Sequence, residues 1–203
     1  SYTEQADSRL RMVEATASGP QVVTYFAGPV TPMVFDIAAI QQRYGADPTT
    51  GAGDSVYHLQ FDEGFLAAIY DAGGTDELDL TQLSRGSIID LHPGAYSSLS
   101  VWSAADQAAH WTALFPALAD KIAAAFAEPG TFTWSNNFGL SYSTVIENVR
   151  GGANAETMTG NDVANTLMGG GGADRIAAAL GDDSIDGGDG AGGPRPAREE
   201  RPG

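Results

Sequence analysis

The sequence contains no cysteine, which excludes disulfide bonds and thiolate metal sites. This absence fits a secreted protein that does not depend on oxidative folding, and it fits a cytosolic protein equally well. No apolar run approaches the roughly 20 residues that a membrane-spanning helix needs. Basic residues are scarce, with 10 Lys and Arg against 26 Asp and Glu, so the net charge is −16. A charge of that sign argues against nucleic-acid or anionic-membrane partners and favours bound cations.

The chain begins at Ser1 with neither an initiator methionine nor a signal-like segment. We therefore expect a fragment or a processed product. Its 203 residues suffice for one domain, or two small ones, with an apolar core.

Residues 151–193 are rich in glycine, aspartate and asparagine, and they repeat in units of nine. Each unit would form a six-residue turn and a three-residue strand, which can bury its single inward side chain only by stacking on neighbouring units. Composition alone also fits a disordered acidic linker, but the phasing of the apolar residues favours a parallel β-roll. The eighth position of successive units is apolar throughout: Met158, Leu167, Ile176 and Ile185.

The turns of these units have the composition of calcium sites. Glycine permits positive φ and aims carbonyl oxygens between stacked turns, and a carboxylate at position six adds a charged oxygen ligand. The unit Gly169–Asp174 reads G-G-x-G-x-D, whereas the other units depart from that form. Because successive units alternate sides, position six of one unit meets position six two units later. This pairs Glu156 with Asp174 and Asn165 with Asp183, so we expect two sites.

Upstream of the repeats the first clear pattern is a helix. Residues 1–30 are predicted to be a loop with a short strand around 21–26. Thr31 has the character of a helix N-cap, Pro32 suits the first helical position, and Gly45 marks the end. Apolar residues lie between these limits at helical spacing: Met33, Ile37, Ile40 and Tyr44.

Residues 49–61 are predicted to be a Gly/Asp turn leading into an alternating strand, and residues 65–80 a strand running into an acidic glycine turn. Asp71 and Asp76 flank a pair of glycines, which brings carboxylates and exposed carbonyls together. The segment predicts a calcium site outside the repeats, with a plain β-turn and solvated aspartates as the alternative.

Six segments in this order resemble the carboxy-terminal half of the serralysin family, secreted bacterial zinc metalloendopeptidases of the metzincin group. The repeats resemble the calcium-binding nonapeptides of repeats-in-toxin proteins. The resemblance covers about three quarters of the chain. Its segments are residues 36–47, 53–57, 70–80, 89–97 and 144–149, followed by the nonapeptides.

The resemblance implies four calcium sites in this chain. The first would use Gly51, Gly53, Ser55, Asp71, Gly73 and Asp76, and its neighbour Gly74, Asp76, Val145 and Glu147. The roll sites would use Gly152, Asn154 and Glu156 against Gly169, Gly171 and Asp174, and Asn161, Val163 and Asn165 against Ala178, Leu180 and Asp183.

The zinc signature of the family, H-E-x-x-H-x-x-G-x-x-H, is missing from this sequence. His58, His92 and His110 are neither followed by Glu nor spaced to share a zinc ion. The family has a Met-containing turn of the form M-S-Y, and Ser1-Tyr2 would follow such a methionine. Tyr2 would then match the tyrosine that can approach zinc, and no catalytic residue is predicted beyond it.

Two further segments depart from the family. A helical insertion is predicted over about 100–136, interrupted near Pro116, with Ser103 and Asp106 as its capping pair. We expect it to pack on the sandwich, with a lid or partner-binding element as the alternative. Residues 194–203 are basic and proline-rich, unlike the family's apolar secretion signal, and are predicted to be disordered. The apolar helix positions are Trp111, Leu114, Leu118, Ile122 and Phe126.

The sequence therefore predicts a mainly β fold, a calcium-binding β-sandwich and parallel β-roll over 48–193, preceded by one helix in a catalytic-domain remnant, 1–47. The expected function is calcium binding that stabilises folding outside the cell, without proteolysis by this chain alone. Zn²⁺ and protein substrates would belong to the complete secreted parent, and a monomer without nucleic-acid partners or a membrane span is expected. The alternative is a non-enzymatic calcium-dependent binding or adhesion module.

Overall fold

The computed structural model describes residues 9–60 and 65–190. It opens with an antiparallel hairpin of β1, Arg9–Thr16, and β2, Gly19–Phe26. The prediction of a loop was wrong for β1, whereas β2 contains the short strand expected around 21–26. The inward face of β1 carries Arg11, 2% exposed, beside Val13, so a basic residue interrupts the apolar alternation that signals a strand.

Helix α1 spans Val34–Tyr44 and ends at Gly45, whose φ of 84° breaks the helix as predicted. Its start differs from the prediction, because Met33 is the N-cap and its N–H donates to the Asp36 carboxylate at 3.0 Å. Thr31 instead exchanges two hydrogen bonds with the backbone of Ala68. The helix is thereby anchored to the strands that follow.

Eleven short strands form the rest of the β structure, most of them three residues long. Two parallel sheets face each other, one of five strands in the order β13-β11-β9-β5-β3 and one of three in the order β12-β10-β6. In a third sheet β4 pairs parallel with β8, and β7 pairs antiparallel with it. The strands are β3 Val56–His58, β4 Ala67–Ile69, β5 Glu77–Asp79, β6 Ile88–Asp90, β7 Tyr96–Ser97, β8 Phe138–Leu140, β9 Asn148–Arg150, β10 Thr157–Thr159, β11 Thr166–Met168, β12 Arg175–Ala177 and β13 Ser184–Asp186.

The middle residues of these strands form the core of the roll. Met158 and Leu167 are buried, and Ile176 and Ile185 at the end of the described stack are half-buried, which confirms the nine-residue phasing. The pairing of β10 with β12 and of β11 with β13 confirms that successive units alternate sides. The mainly β fold with a parallel roll is therefore confirmed.

The same stacking continues beyond the repeats. In the five-stranded sheet Leu167 is in register with Val149, Val149 with Leu78, and Leu78 with Tyr57. In the facing sheet Met158 is in register with Ile89. The roll thus begins at β3, well before the first nonapeptide.

The predicted insertion consists of α2, Ala104–Leu114, a 3₁₀ turn, Pro116–Leu118, and α3, Ala119–Ala127. The Ser103 hydroxyl accepts the Asp106 N–H, which confirms the capping pair. Ile122 and Phe126 pack against Val13 in a second core cluster, so α3 covers the hairpin and not the sandwich. No helix in the described part of the chain is long and apolar enough to cross a membrane.

Candidate calcium-binding turns

A polar residue stands immediately before each strand of the two facing sheets. In the five-stranded sheet the Ser55 N–H donates to Asp76 Oδ1 at 2.8 Å, and the Asp76 N–H donates to Glu147 Oε2 at 2.7 Å. Further along the same sheet, the Asn165 N–H donates to Asp183 Oδ1 at 2.9 Å. These residues form a column at the amino-terminal ends of the strands. In this column each carboxylate accepts the N–H of the residue that precedes the neighbouring strand.

The facing sheet contains the same arrangement at Glu156 and Asp174. The Glu156 N–H donates to Asp174 Oδ1 at 2.8 Å, while Glu156 Oε2 and Asp174 Oδ2 are buried and have no hydrogen-bond partner among the described residues. Burial and the adjacent Asp174 charge raise the pKa of Glu156 to about 7, against an opposing hydrogen bond from the Gly152 backbone. Two carboxylates so placed repel each other unless a cation or a proton lies between them.

Backbone oxygens and close packing complete this turn pair. The Gly171 N–H donates to the Gly152 carbonyl at 2.8 Å, so the two turns are in direct contact. A Cβ on Gly169 would overlap Asp174 Oδ2, which leaves no room for a side chain beside the carboxylate. Asn154 lies in the first of the two stacked turns. The arrangement can hold a hard cation through carboxylate and carbonyl oxygens.

The turn predicted as a calcium site outside the repeats also brings its carboxylates close to neighbouring turns. Asp76 is fully buried and its Oδ2 has no partner among the described residues. Burial raises the pKa of Asp76, the Ser55 N–H opposes that shift, and the charges of Asp71 and Glu147 add to it. A Cβ on Gly74, whose φ is 145°, would lie 2.7 Å from the Gly53 carbonyl.

Asp71 is 1% exposed and is held by several neighbours. Its Oδ1 accepts the Gly73 N–H at 2.8 Å, and its Oδ2 accepts the Tyr57 hydroxyl and lies against Gly51. Sequence reasoning missed Tyr57, although its central position in a predicted alternating strand directs it inward. It also missed Thr144, whose hydroxyl accepts the Asp71 N–H, and a separation of 73 residues gave no signal for that contact. Val145 follows Thr144 and is half-buried.

The second roll pair differs from the first because its side-chain amides satisfy one another. Asn165 Oδ1 accepts the Asn161 N–H at 2.9 Å, and Asn165 Nδ2 donates to Asn161 Oδ1 at 3.0 Å. No atom of these two residues is among the buried unpartnered atoms of the described chain. Val163 and Leu180 are exposed, so only their carbonyls could serve a cation, and Ala178 lies in the opposing turn.

The histidines lie apart from one another. His58 Nδ1 is 2.8 Å from Asp79, and His92 Nδ1 is 2.6 Å from Asp90. The ring of His110 makes edge contacts with Trp102 and Trp111. Across residues 9–60 and 65–190, no group of three or more His, Cys, Asp or Glu side chains could hold a metal ion by itself. A calcium site in these turns would therefore depend on backbone carbonyls, and Tyr2 lies outside the described residues.

This architecture, a parallel roll of three-residue strands joined by acidic glycine turns, defines the protein as a β-roll solenoid. Serralysin C of Dickeya chrysanthemi is 41% identical to the chain over 80 residues, covering 34% of the chain and 17% of that relative. Metallopeptidase AprA of Pseudomonas marginalis is 30% identical over 167 residues, covering 76% and 26%, respectively. Serralysin of Proteus mirabilis is 28% identical over 148 residues, covering 67% and 24%.

The chain is therefore related to the serralysin family of metalloproteases, as its motifs indicated. It spans about a quarter or less of the length of these curated relatives. No model of a known protein family matches the chain.

Proposed function

We propose that this chain is the calcium-binding β-roll part of a secreted serralysin-type zinc metalloendopeptidase, and that calcium stabilises its fold outside the cell. One observation carries the proposal. Three buried carboxylate oxygens, on Asp76, Glu156 and Asp174, have no hydrogen-bond partner among the described residues. Buried charges without partners are costly, and each of these faces a stacked turn with carbonyl oxygens. A divalent cation in the turns would neutralise them.

The proposed ligands are of unequal quality. Glu156 and Asp174, with carbonyls of Gly152, Asn154, Gly169 and Gly171, form the best roll site, because both carboxylates have an oxygen available. Asp76 would serve two adjoining sites, one with Asp71 and one with Glu147. The site of Asn161, Asn165 and Asp183 is the weakest, since the amide oxygens already accept hydrogen bonds within the protein.

Calcium would act on folding through charge. With a net charge of −16, the turns of the calcium-free chain repel one another, and the stack is destabilised. Calcium sites of extracellular modules have dissociation constants of about 10⁻⁴ to 10⁻³ M, so they fill outside a cell and remain empty inside. Binding to the folded state alone, at a hundred times the dissociation constant, adds about 2.7 kcal/mol per site.

Proteolysis is proposed only for the complete parent, which would supply zinc ligands and act on protein substrates. We propose residues 1–47 as the remnant of its catalytic domain. The exposed apolar face of α1 supports that assignment, because Ile40 is 52% and Tyr44 82% exposed and their spacing of four residues places them on one side of the helix. Such a face suits an interface with a further part of a larger protein.

The test is calcium-dependent unfolding. The chain is melted in excess chelator, in 10 mM calcium and in 10 mM magnesium, and bound metal is counted by elemental analysis. We expect calcium alone to raise the melting temperature and to remain bound in stoichiometric amounts. Equal melting in all three conditions, with no retained calcium, would refute the proposal.

Variants then locate the ion. Asp174→Asn should remove a large part of the calcium-dependent stabilisation, Asp183→Asn should remove less, and Asp162→Asn should remove almost none. Asp162 is the matched control, because it is an exposed turn carboxylate outside the columns. Equal losses in all three variants would mean that calcium acts as a diffuse counterion and not at the proposed site.

A further inference from the structure

A pocket of about 590 Å³ lies between the turn of the hairpin and the connection from α2 to α3. Its apolar walls include Pro20 from the hairpin and Leu114, Phe115, Pro116 and Leu118 from the helical side. The volume lies within the roughly 300–1,000 Å³ range of small-molecule sites. Leu114 is 57% exposed, so apolar surface at this pocket remains in contact with water.

Both walls of the pocket are held in place by contacts beneath it. Val13 of the hairpin packs with Ile122 and Phe126 of α3. The guanidinium of Arg11, whose side chain is 1% exposed, pairs with Glu128 at 3.2 Å and also donates to Thr131. The two segments that bound the pocket are therefore one packed unit, and the pocket is formed before any ligand arrives.

The charge at this pocket is opposite to that of the rest of the protein. Lys121 lines it and is the chain's single lysine, whereas no Asp or Glu lines it among the described residues. Lys121 is exposed and forms no ion pair with any residue of the described ranges. In a chain with 26 carboxylates, an apolar pocket with one ammonium group and no acid selects for an anion.

The remaining polar side chains of the pocket narrow the ligand class. Gln21 Nε2 donates to Ser18 Oγ at 2.6 Å, so one of the amide N–H groups is already used within the protein. A peptide would leave several backbone groups in the pocket without partners, which is costly. A molecule with one anionic end and an otherwise apolar body would leave none.

We propose that this pocket binds a free medium-chain carboxylic acid, with its carboxylate at Lys121 and its alkyl chain along Leu114, Phe115 and Leu118. This inference does not depend on calcium binding or on the proposed protease parent. It assigns a ligand site to the two segments that lie outside the roll.

The test is isothermal titration of the chain, in buffer without free calcium, with octanoate and with octylammonium, which has an alkyl chain of the same length and the opposite charge. We expect octanoate to bind with a submillimolar dissociation constant and octylammonium at least tenfold more weakly. Lys121→Gln should weaken octanoate at least tenfold, while Arg175→Gln, which removes an exposed cation from β12, should leave it unchanged. Circular dichroism confirms that each variant is folded.

A second variant separates the apolar contact from the charge. Leu114→Asn should weaken octanoate severalfold and leave acetate binding, if any, unaffected. Three results would overturn the proposal: equal affinity for both ligands, an unchanged affinity in Lys121→Gln, or binding of an apolar tripeptide where octanoate fails. The last would identify a peptide site.

Discussion

Ala179 adopts a φ of 67°, a region in which a side chain is strained. Gly170 and Gly188 occupy the same position of the neighbouring units and have φ values of 88° and 67°. The fourth unit therefore keeps the turn geometry of its neighbours without the glycine that suits it.

Replacing Ala179 with glycine should stabilise the folded protein by about 1 kcal/mol, because the strain of the positive φ is relieved. Urea unfolding in calcium would measure the gain. Ala177→Gly is the matched control and should destabilise by about 0.5–1 kcal/mol, since this residue lies within β12. A loss of stability in both variants would show that Ala179 is not strained.

At the scale of residues, sequence reasoning succeeded where one period governs the contacts. The pairing of Glu156 with Asp174 and of Asn165 with Asp183 follows from units of nine that alternate sides, and both pairs are hydrogen-bonded. The contact of Asp71 with Thr144 could not be found in that way, because no repeat relates the two segments. Whether these turns hold calcium remains a prediction.

Among the elements, the strands of the roll are too short to be stable alone, and each depends on one inward side chain. Leu167 is fully buried between Val149 and Ile185 in the five-stranded sheet. Ile185 is half-buried, because it has a described neighbour on one side only. The same kind of residue should therefore contribute unequally along the sheet.

Leu167→Ala should cost about 2–5 kcal/mol of unfolding free energy, as truncation of a buried leucine does. Ile185→Ala should cost less than half as much, since part of that side chain is already in water. Thermal unfolding in saturating calcium would give both values. Similar costs would indicate that Ile185 is covered by a segment outside the described residues.

The hairpin shows where element prediction fails. Periodicity identified α1 and the repeat strands, because each has a regular apolar spacing. In β1 the inward positions include Arg11, and the apolar alternation is lost. Its partners, Glu128 and Thr131, lie more than 100 residues away, so the reason for a buried arginine is visible only in the folded chain.

For the whole molecule, Arg11 joins the beginning of the described chain to the insertion. Arg11→Met should destabilise the protein by about 2 kcal/mol, because hydrogen bonds to a charged group are lost and buried acceptors are left unpaired. Arg9→Met is the matched control and should cost less than 1 kcal/mol, since the Arg9 side chain is 46% exposed and 4.0 Å from Glu128. Urea unfolding followed by tryptophan fluorescence would report on both. Equal effects would contradict a special role for Arg11.

In the five-stranded sheet β5 pairs with β9, although 71 residues separate them in sequence. The strands on the other side of β9, β11 and β13, belong to the nonapeptide repeats. Neighbour-only stacking makes such a structure behave as a one-dimensional array, in which opening propagates strand by strand from a free end. Amide hydrogen exchange should accordingly be fastest in β13 and β12, slower in β11 and β10, and slowest in β9. The roll would therefore open from β13 and β12 towards β9. A protease should accordingly cleave the glycine-rich repeats long before it cleaves the sequence around β5.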